Sequence, residues 1–255
     1  MYDRRVTQEY LNNIRVVLVG TTHPGNIGAA ARAIKTMGLH SLYLVTPAVY
    51  PHAEATARAS GADDVLAGAR VVETLEDALA GCGLVVGASA RSRTIAWPTV
   101  EPRECALVAR DTAAAGSSVA LVFGRERTGL TNHELERCHY LVHIPSNPDY
   151  SSLNLAAAVQ ILAYELRMAG RSGEVAVGAA DFVSEHPPAT ADELEGLYAH
   201  LEQTLVEIGF LDPGNPRQLM RRMRRLFNRA RLDRMELNIL RGALAAAQKR
   251  AARRS

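Results

Sequence analysis

Five short apolar runs, with almost no alternation of polar and apolar residues, constrain this chain more than any other feature. They occupy residues 14–19, 41–45, 84–87, 119–123 and 140–144 and are rich in Val, Leu and Ile. A strand with one face in water alternates, whereas a strand covered on both faces reads as a continuous hydrophobic run. Between the runs lie segments that read as helices: 28–37, 76–80, 102–114, 132–137 and a longer one over about 153–168. In the last, Leu155, Val159, Leu162 and Leu166 recur at helical spacing. Strands alternating with helices predict an α/β domain, a parallel sheet with helices on both faces. With 255 residues, 47% of them hydrophobic, the chain can bury such a core and still carry a second, smaller unit.

The pattern changes after residue 169. Residues 170–190 hold glycines, a Pro-Pro pair and no periodicity, and read as a linker. From 191 to 255 the sequence is helical in pattern, with Leu194, Leu197, Leu201, Leu205 and Ile208 marking one amphipathic helix and two arginine-rich segments following. The formal charge of the whole chain is only +2, but residues 217–255 carry twelve arginines and one lysine against Asp233 and Glu236. That is +11 on a short helical tail and −9 on the rest, the footprint of a module for a polyanion such as nucleic acid. Arg221, Arg222, Arg224, Arg225 and Arg229 crowd one segment, while Met220, Met223, Leu226 and Phe227 can form its buried side. No apolar stretch approaches the length needed to span a membrane, about 20 residues. The first fifteen residues lack the apolar core of a secretory signal. Cys82, Cys105 and Cys138 form no C-x-x-C pair, so the expectation is three buried thiols, no metal and a reducing, cytoplasmic compartment.

Three stretches put glycine and polar residues just beyond the end of an apolar run, the edge where open α/β sheets bind ligands. They are Gly20–Leu39 with Asn26 and Arg32, the run LVFGRERTGL with Glu126 between Gly124 and Gly129, and HIPSNPDYSSLNLAAA with Ser151, Ser152 and Asn154. The first is neither of the common phosphate cradles. It lacks the lysine of a P-loop, and its glycines have the wrong spacing for a dinucleotide fingerprint. Read locally, Asn26 caps the helix that follows it, Arg32 stands close to a helix start where the dipole disfavours a cation, and Ser151 and Ser152 serve as caps with Asn154 in the first turn.

As an ordered set, NIGAAARA, FGRERTGL and SSLNLAAA resemble the three motifs of the SPOUT-class RNA 2′-O-methyltransferases, SpoU branch. The resemblance covers about residues 11–167. Longer runs such as CHYLVHIPSNPDYSSLNLA and ASARSRTIAWP are similar to the bacterial tRNA-modifying members, which also carry a helical C-terminal extension. The resemblance implies a deep C-terminal trefoil knot, a homodimer whose partner chain completes the site, and S-adenosyl-L-methionine as cofactor. It implies methyl transfer to a ribose 2′-hydroxyl of tRNA, at the nucleotide in position 32 of the anticodon loop. Carried over residue by residue, the catalytic set is Arg32, Asn26, Glu126, Ser152 and Asn154. The cofactor set is Ala88, Ser89, Ala90, Gly124, Ile144, Ser151, Ser152, Leu153 and Asn154. In the same reading the 25–28 turn lets the chain approach the reaction site, and Arg32 stabilises the developing alkoxide and grips the adjacent phosphate. Ala156 stands where the wider branch often carries a small hydroxyl. A ribosomal RNA enzyme of the same branch and a non-catalytic knotted RNA-binding protein are the alternatives. The position of the extension favours tRNA over the first, and the intact motif residues argue against the second.

Overall fold

The computed structural model describes residues 9–89, 97–171 and 186–252. Its centre is a sheet of seven parallel strands: β1 (Ile14–Val19), β2 (Ser41–Val45), β3 (Arg70–Val72), β4 (Cys82–Ala88), β5 (Thr99–Val100), β6 (Ser118–Phe123) and β7 (Tyr140–Val142), in the order β3-β2-β1-β6-β4-β7-β5. The five expected runs are all strands. β3 and β5 were not legible, because two or three residues are too few to set a period. The connections from β1 run outward to β2 and β3 on one side, while β6 leads to the other, so the crevice of the topology lies at the carboxyl ends of β1 and β6.

One face of the sheet packs on α1 (Pro24–Thr36), α2 (Ala53–Ala59), α3 (Asp63–Ala67), α5 (Pro102–Ala114) and α7 (Leu155–Ala169). Ile14, Val16, Leu18, Leu84, Leu121 and Phe123 meet Ile27, Ile34, Leu162 and Leu166 there, all nearly fully buried. Each such side chain contributes roughly 1.5–3 kcal/mol by leaving water. The other face, with Val17, Val19, Val85, Ala120 and Val122, is covered in part by two short helices, α4 (Leu75–Leu79) and α6 (Asn132–Leu135).

The C-terminal extension completes that cover. It consists of α8 (Ala191–Glu207), α9 (Leu219–Ala230) and α10 (Arg234–Ala252), which share their own apolar interior of Leu194, Leu197, Tyr198, Leu201 and Leu205 with Leu232 and Leu237. Its first helix lies against β4: Asp192 Oδ1 accepts from the Gly81 N–H at 2.9 Å, and Ala191 packs into the second-face cluster. The far end of the expected linker is also built in. Ala189 is buried and donates its N–H to the Leu232 carbonyl at 2.9 Å. Residues 172–185 of that linker lie outside the described residues.

Helix α1 begins at Pro24, not at residue 28. Proline suits a first helical position, where no intrahelical partner awaits its nitrogen. The earlier start moves both residues of interest. Asn26 is inside the first turn rather than a cap, and Arg32 is in the middle of the helix rather than near its start. The glycines of this turn let α2 pack closely against it. A Cβ on Gly28 would stand 2.0 Å from the Ala55 carbonyl oxygen of α2, and one on Gly25 2.7 Å from a Glu54 carboxylate oxygen.

Candidate functional site

Three loops meet at the carboxyl edge of the sheet: residues 20–23 after β1, 124–131 after β6 and 143–154 after β7. The second folds back on itself. The Gly129 N–H donates to the Arg125 carbonyl at 2.8 Å, and a Cβ on Gly124 would lie 2.2 Å from the Gly129 carbonyl carbon. Glycine is therefore required at 124 for close backbone approach.

The fold-back delivers the Glu126 carboxylate to the start of α1. It accepts from the Thr22 N–H at 3.2 Å, the Thr22 hydroxyl at 3.0 Å, the His23 N–H at 3.3 Å and the Asn26 side-chain amide at 3.0 Å. His23, the N-cap residue, makes no side-chain cap bond, and the acid of another loop takes the cap's place at the positive end of the helix. Burial by itself raises the Glu126 carboxyl. Hydrogen bonds from Asn26, from its own backbone N–H, and from Thr22 and His23 outweigh it and hold the group at about 2.

From Glu126 a chain of side-chain amides runs on. Asn26 gives its Nδ2 to Glu126 and accepts at Oδ1 from Asn154 Nδ2, 3.0 Å away. Asn154 in turn is the N-cap of α7, its Oδ1 accepting from the Ala156 and Ala157 N–H groups at 2.9 and 3.4 Å. The cap of α7 is thus Asn154, and Ser151 and Ser152 lie ahead of it, exposed. One oxygen or nitrogen of each group faces a fixed partner, so the carboxylate end and the helix end together set both amide orientations. The three sequence motifs thereby join in one hydrogen-bonded line linking the N-termini of α1 and α7.

Beside this line opens a solvent-connected cleft at the carboxyl edge of the sheet. Ala88, Ser89, Gly124, Ile144, Ser151, Ser152 and Leu153 of the expected cofactor set line it, joined by Phe123, Glu126, Thr128, Gly129, Val142, Leu155 and Ala158. Asn154 stands in the amide line at its margin, and Ala90 lies outside the described residues. The backbone at Ser89 is tied to the neighbouring strand, its N–H donating to the Val142 carbonyl at 3.1 Å.

Arg32 is not brought into this group. It is exposed on α1, six residues after Asn26, which in a helix is about 9 Å along the axis and roughly 120° round it. Two residues of these loops escaped sequence reading. Thr22 looks like a plain turn residue, and Arg125 reads as one more charge in GRERTG although it stands beside Glu126 in the motif.

The arginines of α9 sort into two stripes. Arg221, Arg224 and Asn228 face inward. Arg221 Nε meets Glu136 at 2.5 Å, and Arg224 forks onto Glu195 at 2.5 and 2.8 Å with its guanidinium 4.5 Å from the Tyr198 ring centre. Asn228 Nδ2 donates to the Glu136 and Cys138 carbonyls at 2.9 and 3.3 Å. Arg222 and Arg229 are exposed on the adjacent stripe, about 100° round the helix, with Arg225 half-buried between the two stripes.

The chain matches the model of the SpoU rRNA Methylase family over residues 13–164 and that of the TrmJ C-terminal domain, a tRNA methyltransferase domain, over residues 192–255. It is 57% identical over 244 residues to the tRNA (cytidine/uridine/adenosine-2′-O-)-methyltransferase TrmJ of Pseudomonas aeruginosa, covering 94% of this chain and 95% of that protein. To the tRNA (cytidine/uridine-2′-O-)-methyltransferase TrmJ of Salmonella typhimurium it is 58% identical, covering 92% and 96%. Among solved structures, that of TrmJ from Z. mobilis superimposes with a TM-score of 0.79 at 34% identity, covering 91% of this chain and 97% of that one. A probable methylase family protein from Haemophilus influenzae gives 0.58 at 44% identity, covering 96% and 100%.

Proposed function

From its membership of the SpoU methylase family, to which the chain belongs, we propose that it transfers a methyl group from S-adenosyl-L-methionine to a ribose 2′-hydroxyl of tRNA. The observation that carries this reading is the convergence of Asn26, Glu126 and Asn154 in one line beside the cleft. The substrate is the nucleotide at position 32 of the anticodon loop, and a cytoplasmic enzyme is in keeping with a tRNA substrate. The sheet order suits the knot of this class, since β7 enters the sheet between β4 and the edge strand β5.

The cleft fits the cofactor. Phe123, Val142, Ile144 and Leu155 give it apolar walls for a base, and Ser89, Ser151, Ser152 and Thr128 give it hydroxyls. Gly129 leaves open space, since a Cβ there would meet nothing within 4 Å. When bound, S-adenosyl-L-methionine supplies an electrophilic methyl on a sulfonium. The protein's share is positioning and electrostatics. Glu126 is not the proton acceptor. Its carboxyl is held at about 2, a weak base, and its oxygens are engaged by four donors. It fixes the turn after β1, and through Asn26 it fixes Asn154 at the start of α7. Arg32 supplies positive charge to the developing alkoxide and the adjacent phosphate. Its place on α1, away from its own chain's amide line, supports a homodimer in which it serves the cleft of the partner subunit. The outer stripe of α9, Arg222, Arg225 and Arg229, holds the tRNA backbone, with Arg221 and Arg224 holding α9 itself in place.

The test is transfer from labelled cofactor to bulk tRNA, followed by mapping of the modified ribose. Label at a ribose 2′-oxygen of the anticodon loop is expected. Arg32→Ala should abolish it while cofactor affinity stays near wild type. Label only in ribosomal RNA, or none in either RNA from a protein that binds both, would overturn the reading.

A further inference from the structure

The backbone ladder between β1 and β6 ends at Leu18 and Phe123, yet just beyond it the Glu126 carboxylate must meet Thr22, His23 and Asn26 at 3.0–3.3 Å. Something other than the sheet has to set the height of the 124–129 loop over the end of β1. We propose that Arg125 is this positioning residue, a flat guanidinium clamp that aims Glu126 and fixes the wall of the cleft. The proposal rests on the reading of the cleft as the S-adenosyl-L-methionine site.

Three contacts fix Arg125. Its side chain lies across Gly20: a Cβ there would sit 2.8 Å from Nε, 3.0 Å from Cγ and 3.2 Å from Cζ. Gly20 has φ +59, so both the backbone and the space demand glycine. Second, Arg125 Nη1 donates to both carboxylate oxygens of Glu134, at 3.0 and 3.1 Å. Glu134 is itself only 8% exposed and also accepts from the Thr131 N–H at 2.7 Å, within the capping box of α6. Third, the Arg125 carbonyl receives the Gly129 N–H that closes the loop. One residue thus ties the end of β1, the start of α6 and the cleft wall together, immediately before Glu126. A planar guanidinium can lie flush on a glycine and reach the carboxylate beyond it. An ammonium is a compact point charge and cannot do both.

The experiment uses the full chain with four changes: Arg125→Lys, Arg125→Ala combined with Glu134→Gln so that no buried acid is left unpaired, Gly20→Ala, and Gly116→Ala. The last is the control. Gly116 has φ +85 with open space around its Cβ direction, so alanine there adds left-handed strain without touching Arg125. Calorimetric titration with S-adenosyl-L-methionine should show affinity falling at least about tenfold in the first three, since the cleft wall is no longer held preorganised for binding. Gly116→Ala should bind as wild type even where its melting temperature falls as far as that of Gly20→Ala. Hydrogen exchange at the Gly129 amide, which needs no cofactor, should quicken in the first three only. Unchanged affinity and exchange in Gly20→Ala and Arg125→Lys would overturn the clamp, as would equal losses in Gly116→Ala. A wild-type protein that fails to bind the cofactor would overturn the functional reading alone, because the exchange measurement still decides the clamp.

Discussion

Replacing Glu126 by glutamine tests the centre of the site with a defined magnitude. The carboxyl is held at about 2 against an ordinary value of 4.5. That difference, at about 1.4 kcal/mol per pH unit, corresponds to about 3–4 kcal/mol of folding stability at neutral pH for a group shielded from water. Glu126 is partly solvated, so screening brings the expectation down to about 2 kcal/mol. The sign follows from the direction. A carboxyl lowered by folding stabilises fully above its unfolded value, and the contribution is lost as pH falls from about 4.5 to about 2. Glutamine keeps one acceptor oxygen but turns an NH2 toward the donors of Thr22, His23 and Asn26. Glu126→Gln should therefore melt about 4–8 °C lower than wild type at pH 7, taking about 2–4 °C per kcal/mol for a chain of this size. The gap should narrow as pH is lowered toward 3. Calorimetric scans between pH 3 and 7 measure both. A constant gap across that range, or no gap at pH 7, would refute the assignment of the carboxylate as the ionised hub of the three loops.

Two further outcomes separate the stripes and the layers. Arg222→Ala with Arg229→Ala should weaken tRNA binding in fluorescence anisotropy and reduce the slope of log affinity against log salt by roughly 0.7–0.9 for each phosphate that is no longer neutralised. Melting should be unchanged in that variant, whereas Arg224→Ala, which strands Glu195, should lower it. Equal salt slopes for wild type and the double variant would remove the outer stripe from the RNA interface. Truncation after Arg171 should leave a protein that melts lower or aggregates, because it uncovers β4 and removes the bonds of Asp192 and Asn228 to the body. A monodisperse truncation with unchanged melting would show that α4 and α6 cover the second face by themselves.

The sequence by itself determined the sheet, the order of its long strands along the chain and the three loops that matter. Buried parallel strands must be apolar along their whole length, and β1, β2 and β6 are legible for that reason. The motif glycines also follow from local chemistry, since the loop after β6 closes only if residue 124 has no side chain. What each polar residue does was decided by tertiary structure. Asn26 looks like a cap and Asn154 like a first-turn residue. Glu126, one hundred residues away, takes the end of α1, which frees Asn26 to bond Asn154, the residue that caps α7. Likewise a tract of arginines reads as one charged surface. Helical periodicity turns Arg221, Arg224 and Asn228 toward the body and leaves Arg222 and Arg229 outside, but the pattern alone cannot say which stripe faces inward. Glu136 and Glu195 settle that, because an inward guanidinium needs an acid waiting for it, and those acids come from the loop before β7 and from α8.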